Sequence, residues 1–449
     1  MAKHFDLFVI GGGSGGMSAA KKAAAYGATV AIAERDRLGG TCVNRGCVPK
    51  KLMVYASRFP RQAADASGYG WQVTPGVFDW KTLMQGVTGE LRRLNDSFLR
   101  TLEASGVQLY RSHAKLVDEH TILVGDEQIT AERILLAVGG APVKPDIPGM
   151  EHALTSNEMF TLAEQPKQLV ILGGGYIGCE FASMMHGLGS AVTIVIRDEK
   201  ILSGFDDDLR SLLHDSMEKQ GIKIINQAKM RALEKTTDGV TVTIEAGDEQ
   251  VIKTDVVNLA ATGRKPQLEN LGVGNTQVVI TEKGVIETDQ HHQTAEPSIY
   301  AIGDCTDHLN LTPVATAEGA TLATTLYGQQ PQTMSYETIP TAAFTTPEVA
   351  SVGMTEQQAI DKYGKADVKI FQSRFCPMYN SLPNKNVRAL TKLVVHKPSD
   401  RVLGAHMLGD HAAEIMQGMA IALKLGATQA DFLATVGIHP SSAEEFVCF

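Results

Sequence analysis

The sequence predicts an α/β fold with two Rossmann-like dinucleotide-binding domains, followed by a region of a third kind. Three observations predict this architecture. An apolar run, a glycine loop, a helix and a second apolar run occur in that order over residues 6–34, and again over residues 168–197. From about residue 338, strands and helices alternate without such a loop. A chain of 449 residues is also long enough for about two to four domains.

The first βαβ unit, DLFVIGGGSGGMSAAKKAAAYGATVAIAE, has glycines at G-x-G-x-x-G spacing before an alanine-rich helix. The second, QLVILGGGYIGCEFASMMHGLGSAVTIVIR, repeats the pattern. The two trios are Gly11, Gly13 and Gly16, and Gly173, Gly175 and Gly178. Glycines there permit a tight turn and let backbone N–H groups approach a pyrophosphate at the helix N-terminus. Each unit therefore predicts a dinucleotide site.

The charged residue at the end of each unit indicates which nucleotide it binds. Glu34 ends the first unit, where a carboxylate accepts hydrogen bonds from a ribose diol. Arg197 ends the second, where a cation pairs with a 2′-phosphate and favours NADPH. Asp198 and Glu199 follow directly, so NAD stays open as an alternative. The two units predict two different dinucleotides.

Three shorter segments each predict a strand followed by a turn. Residues 132–149 read as a buried strand closing in glycines and prolines, and predict a crossover out of the first domain. Residues 255–267 predict the crossover back. Residues 298–307 predict a strand ending in Asp304, whose carboxylate is placed to bind a sugar-alcohol hydroxyl.

Composition excludes several classes of protein. The formal net charge is −9 and basic blocks are lacking, which argues against nucleic acid or an anionic membrane as partner. We expect no cleaved leader and no membrane span, and therefore a cytoplasmic protein. The few, scattered cysteines indicate a reducing compartment rather than a secreted disulfide framework. They are Cys42, Cys47, Cys179, Cys305, Cys376 and Cys448.

Two of these cysteines lie in GGTCVNRGCVPKKLM, residues 39–53. Pro49 is typical of the first turn of a helix, so Cys47 is predicted at a helix N-terminus. The partial positive charge there, with Lys50 nearby, lowers the pKa of a thiol and favours the reactive thiolate. A disulfide from Cys42 to Cys47 closes too small a loop to brace the fold strongly. The pattern favours a redox pair.

Zinc and an inert buried pair are the alternatives to redox chemistry. Zinc needs two more ligands, and the spacing of the two cysteines differs from the usual zinc pattern. The sequence DQHH, residues 289–292, looks isolated, so we predict no metal site. Cys179, Cys305 and Cys376 are expected to be buried small hydrophobes.

The motifs together resemble a known family. GGTCVNRGCVPKK, the two glycine loops, ATGRKP, YAIGD and the closing HPSSAEEF occur in the order found in pyridine nucleotide-disulfide oxidoreductases, most closely their glutathione-reducing branch. The resemblance implies FAD in the first unit, NADPH in the second, and a C-terminal α+β dimerisation domain. The implied domains are residues 1–140 and 264–337 for FAD, 141–263 for NAD(P), and 338–449 for dimerisation.

The resemblance also implies roles. Cys47 would be the thiol next to the flavin, forming the charge-transfer thiolate, and Cys42 the thiol that attacks the substrate disulfide. Lys50 would pair with Glu180 beside the flavin. Tyr176 would be a lid that moves when nicotinamide enters.

His439 and Glu444 occur in the closing motif. Ser441 and Glu444 fit a capping box, which is a purely structural explanation compatible with a second role. In that second role Glu444 orients His439, which acts as an acid and base near neutral pH. The resemblance implies that this histidine comes from the other subunit, and therefore a homodimer.

The remaining predicted site residues contact the cofactors or the disulfide. The further cofactor positions are Ser14, Gly15, Gly40, Thr41, Gly139 and Arg264, and the substrate positions are Ser14, Lys21, Phe98, Met378, Tyr379 and Glu445. Compared with the family pattern, Lys21 replaces an arginine and Phe98 a tyrosine. Oxidised glutathione is the first expected substrate, and glutathione amide or another small disulfide the alternative. A flavin electron carrier that does not reduce disulfides would have no use for the cysteine pair and His439 together.

Overall fold

The structure is a computed structural model that describes residues 3–449 except 75, 238, 255 and 256, with the backbone alone for residues 248–254. The strands are β1 (His4–Ile10), β2 (Val30–Ala33), β3 (Gln108–Tyr110), β4 (Ala114–Leu116), β5 (Thr121–Val124), β6 (Glu127–Leu136), β7 (Gly140–Pro142), β8 (Gln168–Leu172), β9 (Ala191–Val195), β10 (Lys223–Ile225), β11 (Lys229–Thr236), β12 (Gly239–Ala246), β13 (Asp248–Thr254), β14 (Val257–Ala260), β15 (Arg264–Pro266), β16 (Ile299–Ala301), β17 (Thr341–Ala343), β18 (Val349–Gly353), β19 (Val368–Phe375), β20 (Ala389–His396) and β21 (Arg401–Leu408).

The α-helices lie between and after these strands. They are α1 (Ser14–Ala25), α2 (Gly40–Arg45), α3 (Cys47–Ala66), α4 (Trp80–Ala104), α5 (Ser156–Met159), α6 (Tyr176–Gly187), α7 (Asp207–Lys219), α8 (Thr312–Tyr327), α9 (Glu356–Tyr363), α10 (Ala412–Lys424) and α11 (Gln429–Ala434).

The chain divides into two compact units. Unit 1 comprises Met1–Lys50, Thr82–Val143 and Gly263–Tyr336, and unit 2 comprises Lys51–Lys81, Lys144–Thr262 and Glu337–Phe449.

Unit 1 is built on a sheet with the strand order β3-β2-β1-β6-β5-β4, in which β16 also pairs with β6. The β1, β2, β3, β6 and β16 pairings are parallel, whereas β4, β5 and the first part of β6 form an antiparallel meander. Alternate residues of β1 enter apolar clusters on opposite faces of the sheet, Phe8 in one and Val9 in the other. Burial on both faces explains why residues 7–10 of this strand are a continuous apolar run.

Helices α1 and α8 pack closely in unit 1 because neither has a side chain at the crossing point. A Cβ atom at Gly319 would lie 2.4 Å from the carbonyl oxygen of Gly15. The Ser18 hydroxyl donates a hydrogen bond to the Thr316 carbonyl across the same pair, at 2.8 Å. The start of α8 is thereby fixed relative to the first glycine loop.

Unit 2 contains a parallel sheet of order β10-β9-β8-β14, with α6 connecting β8 to β9. A meander β11-β12-β13 follows in the chain. A separate antiparallel sheet has the order β17-β18-β21-β20-β19, and α10 packs against its apolar face. This sheet accounts for the change of pattern that begins near residue 338.

The predicted α/β fold with two Rossmann-like units is confirmed, since both βαβ segments form parallel strands around a helix. The prediction that a strand ends in Asp304 is wrong. β16 ends at Ala301, and Asp304 lies in a 3₁₀ turn at Gly303–Cys305. Gly303 has a φ of +72°, which strand geometry does not allow. Residues 255 and 256, which begin the predicted return crossover, lie outside the described residues. The predicted domain boundaries stay a prediction.

Lys392, on β20, is a charged residue at the centre of unit 2. Its side chain is 1% exposed, and its Nζ atom lies 2.8 Å from Asp206, 2.7 Å from Asp208 and 2.7 Å from Glu356. Asp206 also accepts a hydrogen bond from the Glu356 N–H at 3.0 Å. Although burial opposes it, this set of hydrogen bonds raises the pKa of Lys392, so the ammonium stays charged.

We expect Lys392→Met to destabilise unit 2, because the buried Asp206 carboxylate would lose its cation. Breaking a buried ion pair from one side costs about 3–5 kcal/mol. For a unit of this size, that loss corresponds to a fall in melting temperature of roughly 5–10 °C, measurable by differential scanning calorimetry. The exposed Lys365 supplies a control as Lys365→Met. Equal melting temperatures for the two variants would show that the cluster does not stabilise the fold.

Candidate active site

The first glycine loop brings backbone segments too close for any side chain. A Cβ atom at Gly11 would lie 2.3 Å from the Ala137 carbonyl oxygen, and one at Gly16 would lie 2.0 Å from the Gly11 carbonyl oxygen. At Gly13, in contrast, an added Cβ atom would meet no close contact, because the nearest described atom is the Gly40 Cα at 3.9 Å, an ordinary van der Waals distance. The loop thus leaves a side-chain-free cradle at the N-terminus of α1, where backbone N–H groups favour an anion.

Glu34 directly follows β2 and lies beneath this loop. Its carboxylate accepts hydrogen bonds from the Gly12 N–H and the Asp36 N–H, each at 2.8 Å. Burial raises the pKa of Glu34 despite these hydrogen bonds. The carboxylate is therefore fixed in position at the end of the strand, as expected for a residue that binds a ribose.

A second polar group of unit 1 lies where β7 pairs with β15. Arg264 lies 3.4 Å from the Asp304 carboxylate through its Nε atom, and its guanidinium donates to the Gly140 carbonyl. The neighbouring Gly139 has a φ of +66° and adopts a conformation that L side chains rarely take. The structure thus brings together Gly139, Arg264 and Asp304, all predicted as cofactor positions.

The two cysteines lie on consecutive helices, Cys42 within α2 and Cys47 at the start of α3. Gly39 and Gly40 have φ values of +89° and +58°, which turn the chain into α2, and a Cβ at Gly40 would lie 2.8 Å from the Gly13 Cα. Cys42 therefore lies on a helix that packs directly against the cradle. Cys47 is the first residue of α3, as predicted. Thr41 shares the turn of α2 with Cys42.

Cys42 and Cys47 are thiols in direct contact. The hydrogen bond to Cys47, together with burial and the neighbouring sulfur's charge, raises the pKa of Cys42 well above its ordinary value. The Cys47 sulfur also lies 3.7 Å from the Thr312 hydroxyl at the start of α8, a contact that the sequence did not predict. With its proton retained, Cys42 needs a base before it can act as a nucleophile.

The second glycine loop repeats the geometry of the first inside unit 2. A Cβ at Gly173 would lie 2.3 Å from the Ala261 carbonyl oxygen, and one at Gly178 would lie 2.1 Å from the Gly173 carbonyl oxygen. Gly175 precedes α6 and has open space around it among the described residues. The matching distances make this a second cradle of the same kind.

Arg197 lies exposed, two residues after β9, so its cation is available to a ligand at the second cradle. Lys200, in contrast, donates to Asp207 at 2.8 Å and is engaged within the protein. The contact of Arg197 with a 2′-phosphate stays a prediction.

Tyr176 and Glu180 lie on α6. Tyr176 is the first residue of the helix and is 41% exposed, consistent with a side chain that can move. Glu180 is buried, and its carboxylate accepts a hydrogen bond from the Phe344 N–H at 2.8 Å. Lys50 belongs to unit 1. The pairing of Lys50 with Glu180 and the lid role of Tyr176 stay predictions.

His439 and Glu444 form a well-defined pair in unit 2. The Nδ1 atom of His439 lies 3.0 Å from the Glu444 carboxylate, and the imidazole is 78% exposed. Glu444 also accepts from the Ser441 N–H, while the Ser441 hydroxyl accepts from the Glu444 N–H, both at 3.3 Å. The capping-box pairing and the histidine contact coexist. A carboxylate on Nδ1 favours the tautomer with its proton there, which leaves Nε2 free to accept one.

The predicted substrate residues are distributed over both units. Lys21 and Phe98 belong to unit 1, where Phe98 packs against the apolar cluster beneath α1. In unit 2, Met378 is largely exposed, and Tyr379 stacks on Tyr69 with ring centroids 5.4 Å apart. Glu445 accepts a hydrogen bond from the Ser373 hydroxyl at 2.6 Å. Their contacts with a substrate stay predictions.

Two sequence-based expectations are wrong. Cys179 and Cys305 are buried as expected, and burial raises the pKa of each thiol to about 12, but Cys376 is exposed. Residue 376 follows the end of β19, where the chain leaves the sheet. The sequence DQHH is not isolated either, because the fold places His292 beside two other metal-ligating side chains.

The sequence is similar to that of a known protein family over most of its length. The sequence matches the pyridine nucleotide-disulphide oxidoreductase family over residues 5–319, and that family's dimerisation domain over residues 339–448. The chain belongs to this family. Among the described residues, no helix is both long and apolar enough to cross a membrane.

Several curated relatives are similar over the full chain. A glutathione reductase of Nostoc sp. is 50% identical, with 100% of this chain and 99% of the relative covered. A glutathione reductase of Burkholderia cepacia is 43% identical, with 99% and 98% covered. A chloroplastic/mitochondrial glutathione reductase of Pisum sativum is 42% identical, with 99% and 82% covered.

We predict that His439→Ala will lower the turnover of a disulfide substrate by about 10²- to 10⁴-fold, the usual value of a positioned acid-base group. The half-reaction with the nicotinamide nucleotide should be largely spared, because no disulfide takes part in it. Stopped-flow and steady-state measurements separate the two steps. Glu444→Gln should cause a smaller loss and an altered pH profile, because it keeps a hydrogen-bond acceptor but removes the charge.

The control for this prediction is His396→Ala, because His396 is a histidine of the same unit whose Nδ1 atom hydrogen-bonds the Ser399 hydroxyl rather than a carboxylate. It should retain full turnover. A His439→Ala enzyme that is as active as this control would refute the acid-base role.

Proposed function

We propose that this protein is an FAD-dependent reductase that transfers electrons from NADPH, through the Cys42 and Cys47 pair, to oxidised glutathione. The observation that carries the proposal is the hydrogen-bonded thiol pair placed directly against the first glycine cradle. Family membership and the names of the full-length relatives support the same activity.

The first cradle fits FAD. At Gly13 no side chain obstructs a pyrophosphate, Glu34 is positioned for the ribose, and Asp304 with Arg264 lies beside Gly140 for the remainder of the cofactor. When bound, FAD accepts a hydride from a reduced nicotinamide and supplies two electrons to a disulfide. The second cradle, with the exposed Arg197, fits NADPH. The duplicated geometry thus supports two nucleotides with separate tasks.

The thiol chemistry follows from the two cysteines and the base. His439 removes the proton that Cys42 retains, and the Cys42 thiolate attacks one sulfur of glutathione disulfide. The S–S bond breaks, Cys42 forms a mixed disulfide, and the departing glutathione thiolate takes the proton from His439. Cys47 thiolate then attacks the Cys42 sulfur, which forms the intramolecular disulfide and releases the second glutathione. The enzyme pair has given up two electrons and is ready for reduction.

We also propose that the enzyme acts as a homodimer in the cytoplasm, with His439 supplied to the thiol pair by the partner subunit. Large apolar side chains lie exposed in the region that matches the dimerisation domain, namely Ile421, Leu425, Val436 and Ile438. Burial of these apolar side chains against a second subunit would favour association. Mixing His439→Ala with Cys42→Ser protein tests the shared site, since subunit exchange should restore some activity, and a persistently inactive mixture that has exchanged would contradict it.

We predict that Cys42→Ser and Cys47→Ser will each abolish glutathione disulfide turnover while FAD remains bound. The cradle residues rather than the sulfur atoms hold the cofactor. An assay of NADPH oxidation, together with the flavin absorbance of the purified protein, measures both properties. Cys448→Ser is the control, because this exposed cysteine is far from the pair in sequence, and it should stay fully active. Full activity of either pair variant would refute the redox role.

We predict that NADPH is preferred over NADH in kcat/KM, and that Arg197→Glu shifts the preference towards NADH. One charge-assisted hydrogen bond contributes about 1.5–3 kcal/mol, roughly a 10- to 100-fold change in selectivity. Ser203→Arg should change the selectivity in the opposite direction by adding a cation to the same segment. Steady-state assays with both nucleotides measure the ratio. Better use of NADH by the unmodified enzyme would show that Asp198 and Glu199 set the specificity instead.

A further inference from the structure

A second cluster of reactive side chains lies in unit 1, apart from the thiol pair. His292 precedes β16, His308 follows the 3₁₀ turn at Gly303–Cys305, and Glu318 lies on α8. One ligand atom from each residue lies within 4.8 Å of the other two. We refer to His292, His308 and Glu318 as the His–His–Glu cluster. Three separate segments of the chain meet there.

The carboxylate of Glu318 is completely buried and held from several sides. Its Oε2 atom accepts from the Gly303 N–H at 2.8 Å, and its Oε1 atom accepts from the Tyr336 hydroxyl at 2.7 Å. His308 Nδ1 lies 3.0 Å from Oε1. Burial alone would raise the pKa of Glu318, but these hydrogen bonds bring it below its ordinary value. The cluster therefore contains a buried negative charge.

Within the cluster, His292 has ring nitrogens whose hydrogen-bonding capacity is unsatisfied among the described residues. It is 2% exposed, and neither ring nitrogen has a hydrogen-bond partner among the described residues. Because neither nitrogen is engaged in a hydrogen bond among the described residues, a ring nitrogen is available to a ligand. A buried polar group without a partner carries a free-energy cost. A ligand that bonded to His292 would remove this cost.

We propose that the His–His–Glu cluster is a binding site for a divalent transition-metal ion, with Zn²⁺ as the preferred ion. Two imidazoles and a carboxylate are a ligand set that zinc favours, with a water molecule in the fourth position. Tetrahedral zinc places its ligand atoms about 3.3 Å apart. His308 Nδ1 lies 3.0 Å from the Glu318 carboxylate, and a His292 nitrogen lies within 4.8 Å of both groups, so an ion that drew the three atoms together would replace the present hydrogen bonds of His308.

The position of the cluster indicates a structural role. Glu318 binds the N–H of Gly303, the residue before Asp304, so an ion there would tie α8 to the turn that carries Asp304. Glu318 and His292 are buried, so a large substrate would not reach an ion held between them. Zinc should therefore stabilise unit 1 and leave the chemistry of the thiol pair unchanged.

The test uses the FAD-loaded, full-length protein with Cys42→Ser and Cys47→Ser, because reduced thiols also bind zinc. The protein is dialysed against chelator-buffered Zn²⁺, and metal and protein are then measured by elemental analysis. We expect one zinc ion per chain and a rise in melting temperature with zinc. His292→Ser should lower the affinity at least tenfold, since even residues that only support a ligand change it by about 10- to 100-fold.

The matched control is His291→Ser, which removes the adjacent histidine, one that is not part of the cluster. It should bind zinc as its parent does. Absence of stoichiometric zinc in the parent protein, or equal affinity in the His291→Ser and His292→Ser proteins, would overturn the proposal. If His292→Ser does not fold, Glu318→Gln in the same background replaces it, and unchanged zinc affinity in that variant would have the same meaning.

Discussion

The arrangement of unit 1 depends on backbone segments that touch where no side chain intervenes. The Gly11 loop contacts the carbonyl of Ala137, α1 starts against the loop through Gly16, and the turn at Gly40 contacts Gly13. These contacts place the helix N-terminus, Glu34 and the cysteine-bearing α2 around one space. Steric exclusion rather than a particular hydrogen bond sets this geometry, because a single methyl group at Gly11 or Gly16 would overlap a carbonyl oxygen.

The two thiols differ in their electrostatic surroundings. Cys47 lies at a helix N-terminus, which favours a thiolate, whereas contact with Cys47 and burial keep the proton on Cys42. In the proposed reaction, Cys42 therefore reacts only after a base has removed its proton. The exposed imidazole of His439, oriented by Glu444 through Nδ1, is the base proposed for that step.

Local sequence signals predicted much of this arrangement. The glycine trios gave the two βαβ units, Pro49 marked the helix that starts at Cys47, and the serine-to-glutamate spacing gave the turn around Glu444, because each signal acts within a few residues. Such local signals could not predict contacts between segments that lie far apart in the sequence.

Those distant contacts include some of the most informative ones. Thr312 meets Cys47, and His292 meets His308 and Glu318, only after the sheet and α8 have assembled. The turn at Asp304 was missed because a positive φ at Gly303 ends the strand early.

The crossing of α1 and α8 has a consequence for exchanging segments between homologues. Gly15 and Gly319 stand at opposite ends of unit 1 in sequence, yet a Cβ atom at Gly319 would lie 2.4 Å from the Gly15 carbonyl oxygen, and one at Gly15 would lie 3.0 Å from the Ala315 carbonyl oxygen on the facing helix. A chimaera that took its N-terminal third from one relative and its C-terminal part from another would inherit the two halves of this contact separately. Recombination within the family therefore has to preserve both small residues together, although either half looks permissive when it is inspected alone.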